Sequence, residues 1–238
     1  MKSLKWINEC ELNNRSDWIG KVHEIISSIN ATFIVMGHLK EHWDFGDKLG
    51  VMMPKLLNDY YYAPPEVERV FKHFDPAYGI SIREDVREGT EEYLAYILGH
   101  EIGHALICEK EGIETHVLCC LVYSYIQKAS SNFINPAIQL PSENYCDLYG
   151  KALASAVFSE SSVNQCFETL IQNKQGDTRL EWLIEQPSIF PTFSVNEAMR
   201  ELILPYRSKL VELWVSDRGG RDPLDPLVRW PKDISTFI

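Results

Sequence analysis

Two histidines and a glutamate fall within five consecutive residues, His100-Glu101-Ile102-Gly103-His104. On a helix, a spacing of four puts both imidazoles on one face, one turn apart, where they can share an ion. Neutral imidazoles leave a divalent metal its full charge, which pulls the pKa of a bound water from about 15.7 toward about 7. Glu101 follows the first histidine and leans toward the same face, so its carboxylate can take that water's proton. The pattern suits hydrolysis, with His100 and His104 as metal ligands, Glu101 as general base, and one zinc ion per chain.

Zinc in a catalytic site takes a third protein ligand and keeps one position for water. A third histidine at the metzincin spacing would need glycine at 107 and histidine at 110, and the chain has Ile107 and Lys110. Glu109, Glu111 and Glu114 continue the same helix or its end and are poorly placed to fold back. Glu143 is better placed. It lies in Ser142-Glu143-Asn144-Tyr145-Cys146-Asp147, which opens a new helix that can lie antiparallel across the first. Glu143 and Asp147 share a face there. Glu143 is then the third ligand, and Asp147 accepts a hydrogen bond from the outer nitrogen of a histidine ligand, fixing its tautomer. Asp147 as the direct ligand is the alternative.

A hydrolytic site also gains from a donor to the oxyanion of the tetrahedral intermediate, and His116, Tyr123, Tyr145 and Tyr149 are candidates by closeness in sequence. Ile80, Ser81 and Ile82, in the best strand of the chain, can bind an extended substrate by edge addition.

The elements that must hold these residues follow from periodicity and punctuation. Ser16-Asp17 starts a helix whose Trp18, Ile19, Val22, Ile25, Ile26 and Ile29 recur at helical spacing. Phe33 to Met36 either extends it or forms a short buried strand. Val51 to Tyr62 reads as a helix stopped by Pro64-Pro65, and Glu66 to Phe74 as another. Gly79 to Arg83 alternates and reads as a strand. Thr90 caps a long helix with Glu91 and Glu92 in its first turn, running to about Lys110 and ending near Gly112. Further helices are expected over Thr115 to Lys128, Pro141 to Phe158, Ser162 to Gln172 and Val195 to Trp214. A tail rich in glycine and proline follows from Ser216 to Ile238.

His100-Glu101-Ile102-Gly103-His104 followed by Glu143-x-x-x-Asp147 resembles the gluzincin pattern and, more narrowly, the ImmA/IrrE-type metallopeptidases of bacteria and their mobile elements. In that family a short strand precedes an HELGH-like helix, and a later helix carries a motif of the form ExEAxxFA. Ile80 to Arg83 matches the strand, and Glu143 to Gly150 a divergent form of the later motif. Tyr145, Cys146 and Gly150 replace the usual glutamate and alanines, and the gap from His104 to Glu143 is longer than usual. The resemblance spans roughly Tyr78 to Phe158 and leaves the two ends of the chain unaccounted for. It implies His100, His104 and Glu143 as ligands, Glu101 as base, and cleavage of a protein partner, often a transcriptional repressor.

The expected fold is a helix-rich α+β protein with a zincin-like metallopeptidase core, a small sheet and an HExxH helix. Residues 1–77 would form a helical segment packing on the core, 78–160 the core, and 161–238 a helical segment with an irregular tail, all within one compact domain. The function expected is zinc-dependent hydrolysis of peptide bonds in a protein or peptide. The alternatives are a zinc-stabilised regulatory or binding protein of weak or no activity, and a delivered toxin protease.

Composition agrees with a globular chain. Of 238 residues 45% are hydrophobic, enough for a sizeable core. The formal net charge of −11 repels phosphate backbones, so no nucleic-acid partner is expected. The first residues do not read as a signal peptide, and the longest apolar run, Leu118 to Ile126, is too short to span a bilayer, so no membrane partner and a cytoplasmic location are expected. Cys10, Cys108, Cys119, Cys120, Cys146 and Cys166 show no CxxC spacing and read as small buried hydrophobes.

Overall fold

The structure, a computed structural model, describes residues 4–7, 16–29, 31–37, 49–54, 72, 76–87, 89–113, 116, 119, 141–174 and 178–192. Among them are strands β1 (Leu4–Ile7), β2 (Phe33–Gly37), β3 (Gly50–Pro54) and β4 (Tyr78–Ile82). The helices are α1 (Ser16–Ile26), α2 (Glu84–Arg87), α3 (Glu91–Glu111), α4 (Pro141–Val157), α5 (Glu160–Lys174) and α6 (Thr178–Glu185). The protein is a helix-rich α+β fold with a small sheet. No helix among the described residues is long and apolar enough to cross a membrane.

The sheet order is β1-β2-β4-β3. β1, β2 and β4 run parallel, with α1 as the crossover between β1 and β2, and β3 runs antiparallel to β4. α1 turns Trp18, Val22 and Ile26 inward at spacings of four. It is fastened to the end of α4 by Lys21, whose Nζ donates to the carbonyl of Val157 at 3.0 Å, and by the Trp18 ring 5.8 Å from that of Phe158.

α3 is the central helix. The Thr90 hydroxyl accepts from the backbone N–H of Tyr93 at 3.3 Å, an N-cap with Glu91 and Glu92 behind it in the first turn. Residues 93–105 are buried without interruption, so the helix has no solvent face over most of its length. It stops where Gly112 takes φ 90°, a conformation glycine adopts freely, and its N–H closes on the carbonyl of Cys108 at 3.0 Å.

Three expectations are corrected. Residues 50–54 form β3 and not the start of a helix. Val51-Met52-Met53 is too short an apolar run to carry a helical period, and pairing with β4 decides the matter. The first 77 residues are not a purely helical attachment, because they supply β1, β2 and β3 to the sheet that contains β4. β4 is not a free edge. It pairs with β2 on one side and β3 on the other, and all five of its residues are buried. Ile80, Ser81 and Ile82 therefore have no backbone groups to offer an extended substrate.

Phe33 to Gly37 takes the strand alternative. Most of the helices expected over Glu66 to Phe74 and Thr115 to Lys128, and all of the one over Val195 to Trp214 and of the tail, lie outside the described residues. The chain divides into two compact units, Met1–Leu106 with Tyr145–Pro191, and Ile107–Asn144 with Thr192–Ile238, in place of the three segments expected. The divisions fall inside α3 and α4, and each of these is one continuous helix.

Candidate metal centre

α3 and α4 meet backbone to backbone because both carry small residues one turn apart at the crossing. A Cβ on Gly99 would lie 2.8 Å from the Cα of Gly150, and one on Gly103 would lie 2.9 Å from the Cα of Cys146. On the other side, a Cβ on Gly150 would lie 2.5 Å from the carbonyl oxygen of Tyr96 and 3.0 Å from the nitrogen of His100. Glycine inside a helix costs about 1 kcal/mol relative to alanine. Here that cost lets a second helix come close enough for its carboxylates to reach the histidines that follow the two α3 glycines.

His100 and His104 stand one turn apart on α3, with ring centroids 4.9 Å apart and planes at 78°. Their Nε2 atoms face each other at 3.2 Å. Two tetrahedral Zn–N bonds of about 2.0–2.1 Å place their nitrogens about 3.3 Å apart, so the rings already have the separation a shared ion asks for. Glu143, in the first turn of α4 and buried, supplies the third donor. Its carboxylate and the two ring nitrogens all lie within 4.8 Å of one another. This buried group of two imidazoles and a carboxylate can hold a metal ion. The continuity of α4 carries Glu143 in register with Cys146, Asp147 and Gly150, the residues that face α3.

Asp147 lies behind the first ring and not beside the second. Its Oδ1 is 2.8 Å from Nδ1 of His100, the nitrogen opposite the one that faces His104. That position fits an acceptor for the outer nitrogen and leaves Glu143, not Asp147, as the carboxylate of the ligand group. Asp147 is fully buried and heavily bonded. The Tyr96 hydroxyl donates to Oδ1 at 2.9 Å, Nε of Arg179 donates to Oδ2 at 2.6 Å, and an Arg179 terminal nitrogen donates to Oδ1. Burial alone would raise this carboxyl, but the Arg179 guanidinium, followed by the His100 hydrogen bond, holds it down at about 2. Burial pulls His100 downward, and Asp147 outweighs it, so the net shift is upward. Because a carboxylate only accepts, Nδ1 of His100 carries the hydrogen. The Arg179 nitrogen 3.0 Å from Nδ1 is then a packing neighbour and not a donor to it. The tautomer that results presents the Nε2 lone pair toward His104, where a shared ion could sit.

Glu101 is buried and stands outside the ligand group. Its carboxylate lies along the start of β3, where a Cβ on Gly50 would come 2.8 Å from Oε1, 3.0 Å from Cγ and 3.2 Å from Cδ. Gly50 pairs with Ile82 of β4, so the strand that walls the carboxylate is itself anchored.

Two of the other expected donors sit away from the ligand face of α4. The Tyr145 and Tyr149 rings pack tilted with centroids 6.1 Å apart, and Tyr149 packs tilted on Phe190 at 5.1 Å. At about 100° per residue this is a different face of α4 from the one carrying Glu143, Cys146, Asp147 and Gly150. Burial raises both phenols, that of Tyr149 to about 12. His116 is buried, its N–H bonded to the carbonyl of Gly112 at 3.4 Å. Tyr123 lies outside the described residues. Burial pushes the Cys119 thiol up to about 12.

Arg179 and Gly50 were not singled out from the sequence. A fully buried aspartate calls for a cationic partner, but nothing local marks which arginine supplies it. Gly50 adjoins a run that reads as a helix from its sequence, so nothing there places it in a strand against Glu101.

No known protein family, curated protein or solved structure matches this chain.

Proposed function

We propose that this protein is a zinc-dependent metallopeptidase with a zincin-like core. The observation that carries the proposal is the 3.2 Å approach of the His100 and His104 Nε2 atoms, with the Glu143 carboxylate within 4.8 Å. Two imidazoles and one carboxylate make a common donor set for catalytic zinc, which takes three protein ligands and keeps a position for water. Asp147 behind His100 supplies the supporting hydrogen bond that such a ligand usually has.

Zinc held there would acidify a bound water and polarise the scissile carbonyl. The chain's own residues do the rest. His100, His104 and Glu143 fix the ion. Glu101, held between α3 and the start of β3, accepts the proton from the attacking water and later delivers it to the leaving amine. Burial of the carboxylate keeps bulk water from competing for that proton. The substrate is a protein or peptide.

The test pairs two variants. Glu101→Gln keeps one zinc per chain and the wild-type melting temperature but loses cleavage of denatured casein or a fluorogenic peptide mixture. Glu143→Gln loses zinc. Cleavage at the wild-type rate by Glu101→Gln, or unchanged zinc affinity in Glu143→Gln, refutes the assignment.

A further inference from the structure

We propose that Arg179, on α6 and outside the motif-bearing helices, is a positioning residue of the metal centre: it grips both oxygens of Asp147 and thereby sets the ring of His100. The inference rests on His100 being a ligand.

The geometry is a three-part relay. Nε of Arg179 donates to Oδ2 of Asp147 at 2.6 Å, and a terminal nitrogen donates to Oδ1, the oxygen that also receives Nδ1–H of His100. A guanidinium fork that engages both oxygens removes the freedom of the carboxylate to rotate about its last bond. With the carboxylate fixed, the imidazole it accepts from is fixed in plane and tautomer. Tyr96 adds a third donor to Oδ1 from one turn earlier on α3, so the acceptor is held from two helices.

α6 is rigidly placed for the task. Lys151, one turn beyond Asp147 on α4 and fully buried, donates to the carbonyls of Leu183, Ile184 and Gln186 at 2.7, 3.3 and 2.6 Å. It closes the C-terminal end of α6, where unsatisfied carbonyls gather. Two residues one turn apart on α4 thus hold α6 near its beginning and at its end. Such an anchor has a cost, since burying an ammonium lowers its pKa. The position of Arg179 therefore does not depend on a mobile loop.

A cation close to the site would by itself repel a metal ion. Arg179 does not, because its charge is matched by Asp147 at a similar distance from His100, and the pair is close to neutral as seen from the ion. What remains is orientation, and loss of such a supporting contact typically costs about 10- to 100-fold in metal affinity.

The experiment measures zinc affinity at one fixed pH by competition with a chromophoric chelator, for wild type and for Arg179→Ala, Arg179→Lys, Asp147→Asn and the Asp147→Asn/Arg179→Ala double variant. Circular dichroism checks that each is folded. Arg179→Ala is expected to bind about 10- to 100-fold more weakly. Arg179→Lys, which offers a point charge in place of a fork, should bind about three- to tenfold more weakly. Adding Arg179→Ala to Asp147→Asn should cost less than about twofold more, because both act through one contact. The Arg179 side chain is 25% exposed, so millimolar guanidinium can reach the space it leaves. It should tighten zinc binding by Arg179→Ala and not by the double variant, a rescue that a purely structural role would not show. Wild-type affinity in Arg179→Ala overturns the proposal. If that variant does not fold, wild-type affinity in Arg179→Lys overturns it instead. Failure of the wild type to bind zinc, or wild-type affinity in His100→Ala, sinks the metal-centre assignment itself and is read separately.

Discussion

Replacing Gly50 by alanine should displace Glu101, the proposed general base, while leaving the fold and the proposed metal site in place. Gly50 lies in an extended strand, a conformation open to alanine, so the backbone carries no penalty. The added methyl would sit 2.8 Å from Oε1 of Glu101, about 0.6 Å short of the 3.4 Å at which ordinary contact begins. β3 cannot retreat without breaking its pairing with β4, so the carboxylate must move. Oε1 is the far end of a flexible side chain, and an off-rotamer adjustment costs only about 0.5–1.5 kcal/mol. Glycine-to-alanine in permitted backbone returns about 0.4–1 kcal/mol through the unfolded state. The two nearly cancel, and the melting temperature should move by less than about 4 °C. Catalysis is less forgiving, because a displacement of about 1 Å at a reacting group can cost about 100-fold. A shift of about 0.6 Å should therefore lower kcat/KM by roughly 10- to 100-fold, about 1.4–2.7 kcal/mol of transition-state stabilisation. The assay is hydrolysis of a fluorogenic peptide that the wild type cleaves, alongside zinc content by mass spectrometry and a thermal melt. Full activity with one zinc per chain would refute the idea that β3 sets the Glu101 carboxylate.

Gly150→Ala should instead strike the fold. Its methyl meets the Tyr96 carbonyl oxygen at 2.5 Å, a backbone atom inside a buried helix that cannot step aside. The expected loss is about 3 kcal/mol, or roughly 6–12 °C in melting temperature, with weaker zinc binding because Glu143 rides on the displaced helix. A melt within about 2 °C of wild type would count against the close crossing of α3 and α4. Acid stability of the metal-free protein provides a third check. The folded Asp147 carboxyl, at about 2, lies below its ordinary value of 3.8, so its contribution is fully present above about pH 4 and is lost as pH falls toward 2. The contribution is about 2 kcal/mol, and Asp147→Asn should flatten that limb of the stability curve. An equally steep limb in the variant, followed by fluorescence in urea at each pH, would mean that Asp147 is not held ionised.

The histidine and glutamate half of the candidate site could be read directly from the chain. His100, Glu101 and His104 declare themselves because helical spacing is a local property, and Thr90, Glu91 and Gly112 mark the ends of the same helix through capping that is local as well. Glu143 and Asp147 were visible as a pair one turn apart at a helix start, but their division into ligand and supporting acceptor needed the crossing angle of two helices. Residues whose roles depend on pairing or burial were hidden. Val51 to Met53 could not announce a strand, because its partner β4 lies more than 20 residues away. For the same reason Ile80 to Ile82 looked like an available edge until β2 and β3 were found on either side. Arg179 meets Asp147 across 32 residues of sequence, and Gly50 meets Glu101 across a separation no period connects. Local hydrogen bonding and periodicity write an element into its own residues. Contact between elements is written only in how they pack, and that is where tertiary structure set Gly50 against Glu101 and Arg179 on Asp147.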